Sequence, residues 1–261
     1  MDPTQASLMQ ERVILVDKDD NVLGPASKID THATAKGPLL HRAFSVFLFD
    51  RDGLLLLQQR AAAKVTFPLF WANTCCSHPL YCTEELGWDS QPARPVEGAK
   101  RAAVRKLQHE LGLSLKGGDT VMTYLTRLHY CAESPTDPQW GEHEIDYILI
   151  AQDDRPFADI SFVPNSNEVE AVRWVDQPAM RDMARQCEEG QLLITPWCKL
   201  IIDKFLYPWW DSLSDLSPHM DPMTIYRLGA NADMLATWQS PPAAMPMPPA
   251  PPANQLFKAE A

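Results

Sequence analysis

At 261 residues, with 45% hydrophobic side chains, the chain is long enough to bury a core without staples and fits one large domain or two small ones. A net charge of −11 argues against nonspecific nucleic-acid binding, although a few local Lys and Arg suffice to hold a phosphorylated ligand. No apolar run approaches the ~18 residues needed to span a bilayer, Met1 to Gln10 lacks the pattern of a secretory signal, and the six cysteines include no Cys-x-x-Cys pair, so free thiols in a cytoplasmic, reducing compartment are expected.

In chain order, residues 1–10 read as a flexible N-terminus. Residues 12–17 read as a strand closed by the polar turn 17–21, followed by Val22-Leu23-Gly24 and a loop carrying Lys28 and His32. The apolar runs 43–49 and 54–59 flank Asp50-Arg51-Asp52-Gly53, which predicts a hairpin of two buried strands. Ala99, Ala102, Ala103, Val104, Leu107 and Leu111 recur at helical spacing, with Gly112 standing where a helix stops. Further strands are expected at 121–130, 145–151 and 169–175, and helices at 180–189 and 196–210. The pattern predicts a mixed α/β (α+β) domain over residues 11–228. From Ser240 the chain is dominated by Pro, Ala and Met, and 229–261 reads as a disordered, partly polyproline tail.

Two short clusters concentrate chemistry. Glu142 and Glu144 open a strand-like run in which alternation sends both to one face; two carboxylates side by side repel, raising one pKa or demanding a cation. A solvated strand end is the plain alternative. His32, His41 and His78 lie in polar contexts and would complete a nitrogen and oxygen donor set suited to Zn²⁺, Mn²⁺ or Fe²⁺, but their separations in sequence do not establish that they converge. In Asn73-Thr74-Cys75-Cys76-Ser77-His78-Pro79, either cysteine can be a buried hydrophobe or a reactive thiol; if the segment is extended, parity pairs Cys76 with His78 and leaves Cys75 for the buried role.

Glu97, Arg105, Glu110, Gly112 and Leu113 fall at the intervals of the Nudix signature. Gln91 replaces its first glycine, Lys106 a glutamate, and His109 the first glutamate of its final pair. A hydrolase needs several carboxylates there, so diphosphate binding through Mg²⁺ is expected without cleavage.

Taken with Trp140-Gly141-Glu142-His143-Glu144-Ile145-Asp146-Tyr147, Thr195-Pro196-Trp197 and the run 205–210, these residues resemble type I isopentenyl diphosphate isomerases, which are Nudix-fold enzymes, over roughly residues 10–228. The resemblance implies Cys76 as catalytic acid, Glu144 as base oriented by Tyr130, and a transition-metal site (Zn²⁺ or Mn²⁺) of His32, His41, His78, Glu142 and Glu144. It further implies Glu110 as ligand to a diphosphate-bound Mg²⁺, Lys28, Arg60, Lys64, Ser77 and Lys106 around the diphosphate, and Trp197 facing the prenyl group. A prenyl diphosphate is then the small-molecule partner of a monomeric chain, cytoplasmic or, after loss of a leader, plastidic. The competing readings are a Nudix pyrophosphohydrolase and a non-enzymatic metal-binding or docking module.

Overall fold

A computed structural model describes residues 1–229. The Pro-rich stretch after Ser240, read above as a disordered tail, lies outside the described residues. The elements run α1 (Pro3–Leu8), β1 (Arg12–Val16), β2 (Val22–Ser27), α2 (Lys28–His32), β3 (His41–Phe49), β4 (Leu55–Arg60), β5 (Trp71–Ala72), β6 (Cys75–Ser77), α3 (Thr83–Leu86) and α4 (Pro95–Leu111). They continue with β7 (Met122–Glu133), β8 (Gly141–Gln152), β9 (Val169–Val175), α5 (Gln177–Glu188), α6 (Pro196–Ile201), α7 (Tyr207–Asp211) and β10 (Ile225–Arg227).

The described strands join one mixed sheet. Its spine is β3, which pairs in parallel with β8 over nine registered residues, from His41↔Glu144 to Phe49↔Gln152. On its other side β3 meets β4 only at Leu48↔Leu56 and Phe49↔Leu55; β4, paired with β9 along its far edge, then turns from β3 to β5, and β6 takes its place along Phe44–Val46. The expected hairpin is therefore real but short. Its turn is held by Asp50, whose carboxylate accepts from the backbone N–H of Asp52, Leu54 and Phe157, and Gly53 supplies the positive φ of +80°.

Strand alternation divides the core into two layers. On one face Phe47, Leu57, Leu128, Tyr130 and Ile148 pack with Met180, Trp197, Ile201 and Leu206 from the later helices. On the other, Phe44, Val46, Leu56, Tyr147 and Leu149 pack with Ala99, Ala102, Ala103 and Leu107 of α4. Small alanines let α4 lie close to the sheet, and Gly112, at φ +61°, ends it as expected.

Two expectations are corrected. Residues 1–10 are not a flexible N-terminus: Asp2 caps α1 through the N–H groups of Thr4 and Gln5, and Gln5 and Met9 are buried. The helix expected at 196–210 is interrupted by a π turn at Ile202–Leu206. Pro208 has no N–H and its ring would crowd the carbonyl of Lys204, so the chain widens by one residue before it.

Candidate active site

The site forms where β8, β3, β6 and α2 meet. Along β8, Glu142, Glu144 and Asp146 share one face, and the in-register parallel neighbour β3 brings His41 opposite Glu144. Ser77 of β6 pairs with Phe44, so the chain leaves the sheet with His78 over the same corner, and the last turn of α2 delivers His32. The ligand atoms of His32, His41, His78, Glu142 and Glu144 all lie within 4.8 Å of one another. The predicted convergence is thus present.

Two of the three imidazoles, His32 and His41, are held by their outer nitrogen, whereas His78 Nδ1 has no hydrogen-bond partner among the described residues. His32 Nδ1 lies 2.7 Å from the Lys28 carbonyl and His41 Nδ1 lies 2.8 Å from that of Leu39, which turns both Nε2 atoms inward. His32 Nε2 is 2.8 Å from Glu142, and His78 Nε2 is 2.8 Å from Glu144. His41 Nε2 is buried with no hydrogen-bond partner. Three ring centroids within 4.8–5.0 Å of each other and two buried carboxylates form a nitrogen and oxygen donor set that could hold a metal ion. Burial, then the neighbouring His41 and His32, drive His78 well below the ordinary imidazole range, so it stands as the neutral ligand form.

The rest of the pocket carries the expected reactive groups. Tyr130, the β7 partner of Glu144, donates its hydroxyl to the Glu144 carboxylate. Burial alone would raise Glu144, but contacts from His41 and Tyr130 outweigh it and hold it below the usual range. Cys75 points into the α4 layer, with its Sγ 3.5 Å from Glu110, whereas Cys76 lines the pocket. Burial pushes the Cys76 thiol up to about 12 against the pull of Arg60, whose Nη1 is 3.7 Å from Sγ. The proton therefore stays on Cys76 at neutral pH. Trp197 lines the same pocket, fixed by its indole N–H to Asn73 Oδ1 at 3.1 Å, and the Arg60 guanidinium lies 5.5 Å from its ring centroid.

The NUDIX domain family matches residues 39–198. An isopentenyl-diphosphate Delta-isomerase of Dictyostelium discoideum is 46% identical over 231 residues, covering 85% of this chain and 92% of that protein. The chain belongs to the isopentenyl-diphosphate Delta-isomerase family. Mus musculus isopentenyl-diphosphate Delta-isomerase 1 is 43% identical, covering 87% of this chain and 96% of that protein, and the Candida albicans enzyme is 45% identical, covering 87% and 82%.

Within this isomerase, Lys28, Arg60, Lys64, Ser77 and Lys106 all line the pocket that Cys76 and Glu144 share. Each lysine is already matched: Lys28 with Glu11, Lys64 with Glu168 at 2.7 Å, and Lys106 with Glu110 at 3.1 Å. Burial pulls Lys28 down to about 8, resisted by Glu11. Glu110 faces Lys106, Gln58 and Cys75 rather than open space. One carboxylate beside substrate phosphates is what Mg²⁺ ordinarily takes, so the donor fits, provided Lys106 gives way.

Three acidic participants are absent from the sequence reading. Glu11 and Glu168 balance lysines of the pocket. Asp146, hydrogen-bonded by Ser45 at 2.8 Å, is driven well above the carboxylate range by burial and by Glu144, and stands neutral beside it. Strand parity with Glu142 and Glu144 was the available signal for Asp146; Glu168, at the foot of β9, offered none. Among the described residues no helix is long and apolar enough to cross a membrane.

Proposed function

We propose that this chain interconverts isopentenyl and dimethylallyl diphosphate by protonation and deprotonation on opposite faces of the substrate. The single observation that carries the reading is that the Cys76 thiol and the Glu144 carboxylate line one pocket, beside Lys28, Arg60, Lys64 and Lys106, cations able to grip a diphosphate.

The alkene is unactivated, so a proton must first be forced onto its terminal carbon, leaving a tertiary carbocation. Cys76 gives that proton, and Arg60 lies close enough to steady the thiolate left behind. Glu144, oriented by Tyr130, takes a proton from the carbon on the diphosphate side, and the double bond re-forms in its new position. The two residues then return to their starting states by exchange with water or by the reverse reaction. Trp197 offers its indole face to the cation, and the apolar walls keep out water that would capture it.

The His/Glu cluster would hold Zn²⁺ or Mn²⁺, which supplies fixed positive charge that orients Glu144 and keeps it ionised. Glu110 would hold Mg²⁺ together with the diphosphate. Hydrolysis is disfavoured because Lys106 and His109 stand where a Nudix hydrolase keeps carboxylates.

The test is conversion of isopentenyl to dimethylallyl diphosphate by metal-loaded protein in deuterium oxide, followed by NMR. Deuterium is expected in the new methyl group. Release of phosphate without double-bond migration would replace this reading with the hydrolase.

A further inference from the structure

Glu168 is 2% exposed, lines the catalytic pocket and has no part in the mechanism above. Its backbone is pinned: the Ala61 N–H donates to its carbonyl at 3.0 Å, and its own N–H donates to Asn165 at 2.9 Å. This fixes the carboxylate over the turn that carries Lys64. One oxygen lies 2.7 Å from Lys64 Nζ and 3.9 Å from Lys106 Nζ; the other accepts from Gln5 of α1 at 3.1 Å. Lys64 and Lys106 lower the carboxyl strongly against its burial, so it is ionised across the working pH range.

A carboxylate placed between two cations that must bind an anion is costly unless it does something. It competes with the ligand for Lys64, and it repels the ligand directly. The charge count gives a reason. Once Glu142 and Glu144 are set against the metal they would hold, Lys28, Arg60, Lys64 and Lys106 of the pocket are left with Glu168 inside it and Glu11 and Glu110 paired from behind, four cations to three carboxylates and one positive charge in excess. A terminal phosphate carries about −1.5 to −2 at neutral pH and the inner phosphate adds roughly one more. The bare diphosphate therefore overcharges the pocket, whereas its Mg²⁺ complex nearly cancels the excess. Removing one buried carboxylate would erase that preference.

We propose that Glu168 is a positioning residue that sets the charge balance of this pocket, so that the diphosphate is accepted as its Mg²⁺ complex in preference to the bare anion. The proposal rests on the diphosphate reading of the pocket and adds to it a residue that discriminates between two forms of one substrate. The carboxylate holds Lys64 and Lys106 extended until the complex arrives. Both lysines then turn from carboxylate to phosphate, and the carboxylates they leave lie toward the metal side of the complex.

The quantity to measure is the ratio of isopentenyl diphosphate Kd without Mg²⁺ to Kd with it, by calorimetry, in a Cys76→Ala background that prevents turnover. General damage to the pocket weakens both constants and leaves the ratio in place. Glu168→Gln is expected to shrink the ratio about tenfold or more, chiefly by tightening the bare anion, since a unit charge a few ångströms away is worth at least that much even when screened. Lys64→Gln is expected to move the ratio the other way, and the double variant Lys64→Gln/Glu168→Gln, which deletes the ion pair as a unit, to restore it. Asn167→Ala, which loosens α1 through its contacts to Gln5 and Asp2 without a charge change, should leave the ratio alone. A ratio that stays fixed in Glu168→Gln, or that fails to return in the double variant, overturns the role of Glu168. Absence of isopentenyl diphosphate binding in the Cys76→Ala protein under either condition would instead remove the functional reading beneath it.

Discussion

The two faces of β8 are both buried and both polar, yet they are satisfied in opposite ways. On the back face unlike meets unlike. Tyr147 donates to Asp20, whose carboxylate also receives Arg42 and, at 2.9 Å, Arg127. Next to them, Arg227 donates to His129 Nδ1 at 3.1 Å, which leaves His129 Nε2–H to donate to His143 Nε2 at 2.9 Å, and His143 Nδ1–H to donate to Pro38 O at 3.0 Å. On the front face like is also crowded on like: three imidazoles converge, Glu142 lies beside Glu144, and His41 Nε2 lies 3.6 Å from Glu144 without a hydrogen bond. The back-face network pairs its charges internally, with only Arg42 Nη1 and Arg127 Nε left without a hydrogen-bond partner among the described residues, and serves the fold, while donor atoms that converge on a common centre could hold a cation.

The largest expected effect falls on the front face alone. Cys76→Ala and Glu144→Gln should each lower kcat by about 10³-fold or more, within the range that general acid–base groups supply. Cys75→Ala, one residue away but facing α4, should leave kcat within a few fold, and full activity in Cys76→Ala would break the assignment. Next in size is metal removal. Chelation should abolish isomerisation and lower unfolding stability by the linkage term, about 2.7 kcal/mol for free metal a hundredfold above its Kd. Denaturant titrations with and without chelator read this directly.

The back face should respond in the other currency. Asp20→Asn keeps the side-chain shape and suits the positive φ of 69°, but strands the buried Arg42 and the partly buried Arg127, so a loss of about 3 kcal/mol is expected in urea melts with kcat per folded molecule unchanged. An effect smaller per pH unit comes from His129, which burial, then His143 and Arg227, push down to about 3. Its folded pKa lies below its unfolded value of about 6.5, so the unfolded chain binds the proton first, and stability falls as pH drops from about 6.5 towards 3. The slope from this residue is at most about 1.4 kcal/mol per pH unit, and His129→Gln should flatten it. Deleting residues 240–261 should change neither reading.

Much of this contrast was legible in the sequence, since alternation in β8 and β6 alone separates Glu142 and Glu144 from His143, and Cys76 from Cys75. Spacing likewise found α4 and its stop at Gly112. What could not be read was register at long range. Nothing local says that His41 lies opposite Glu144, because parallel pairing of β3 with β8 is set by two hydrophobic layers at once. The resemblance supplied that link for the ligands, but Glu168 offered no signal, because a lone acidic residue beside a strand looks the same whether its partner is water or a lysine, and Asp146, though in step with Glu142 and Glu144, has its partner Ser45 on a distant strand. The N-terminal helix was missed for a related reason: six residues carry no helical period, and Gln5 is ordered by Asn167 and Glu168, far along the chain.

The parallel pairing of β3 with β8 also has a bearing on how the molecule is made. Parallel neighbours need a long crossover, and here the intervening chain includes α4 and β7, so contacts of high sequence separation must close before the corner exists. A nascent chain that has emerged only as far as α4 owns three of the five donors and neither carboxylate of the cluster. An ion held by all five donors would therefore report the completion of the sheet rather than guide its first steps.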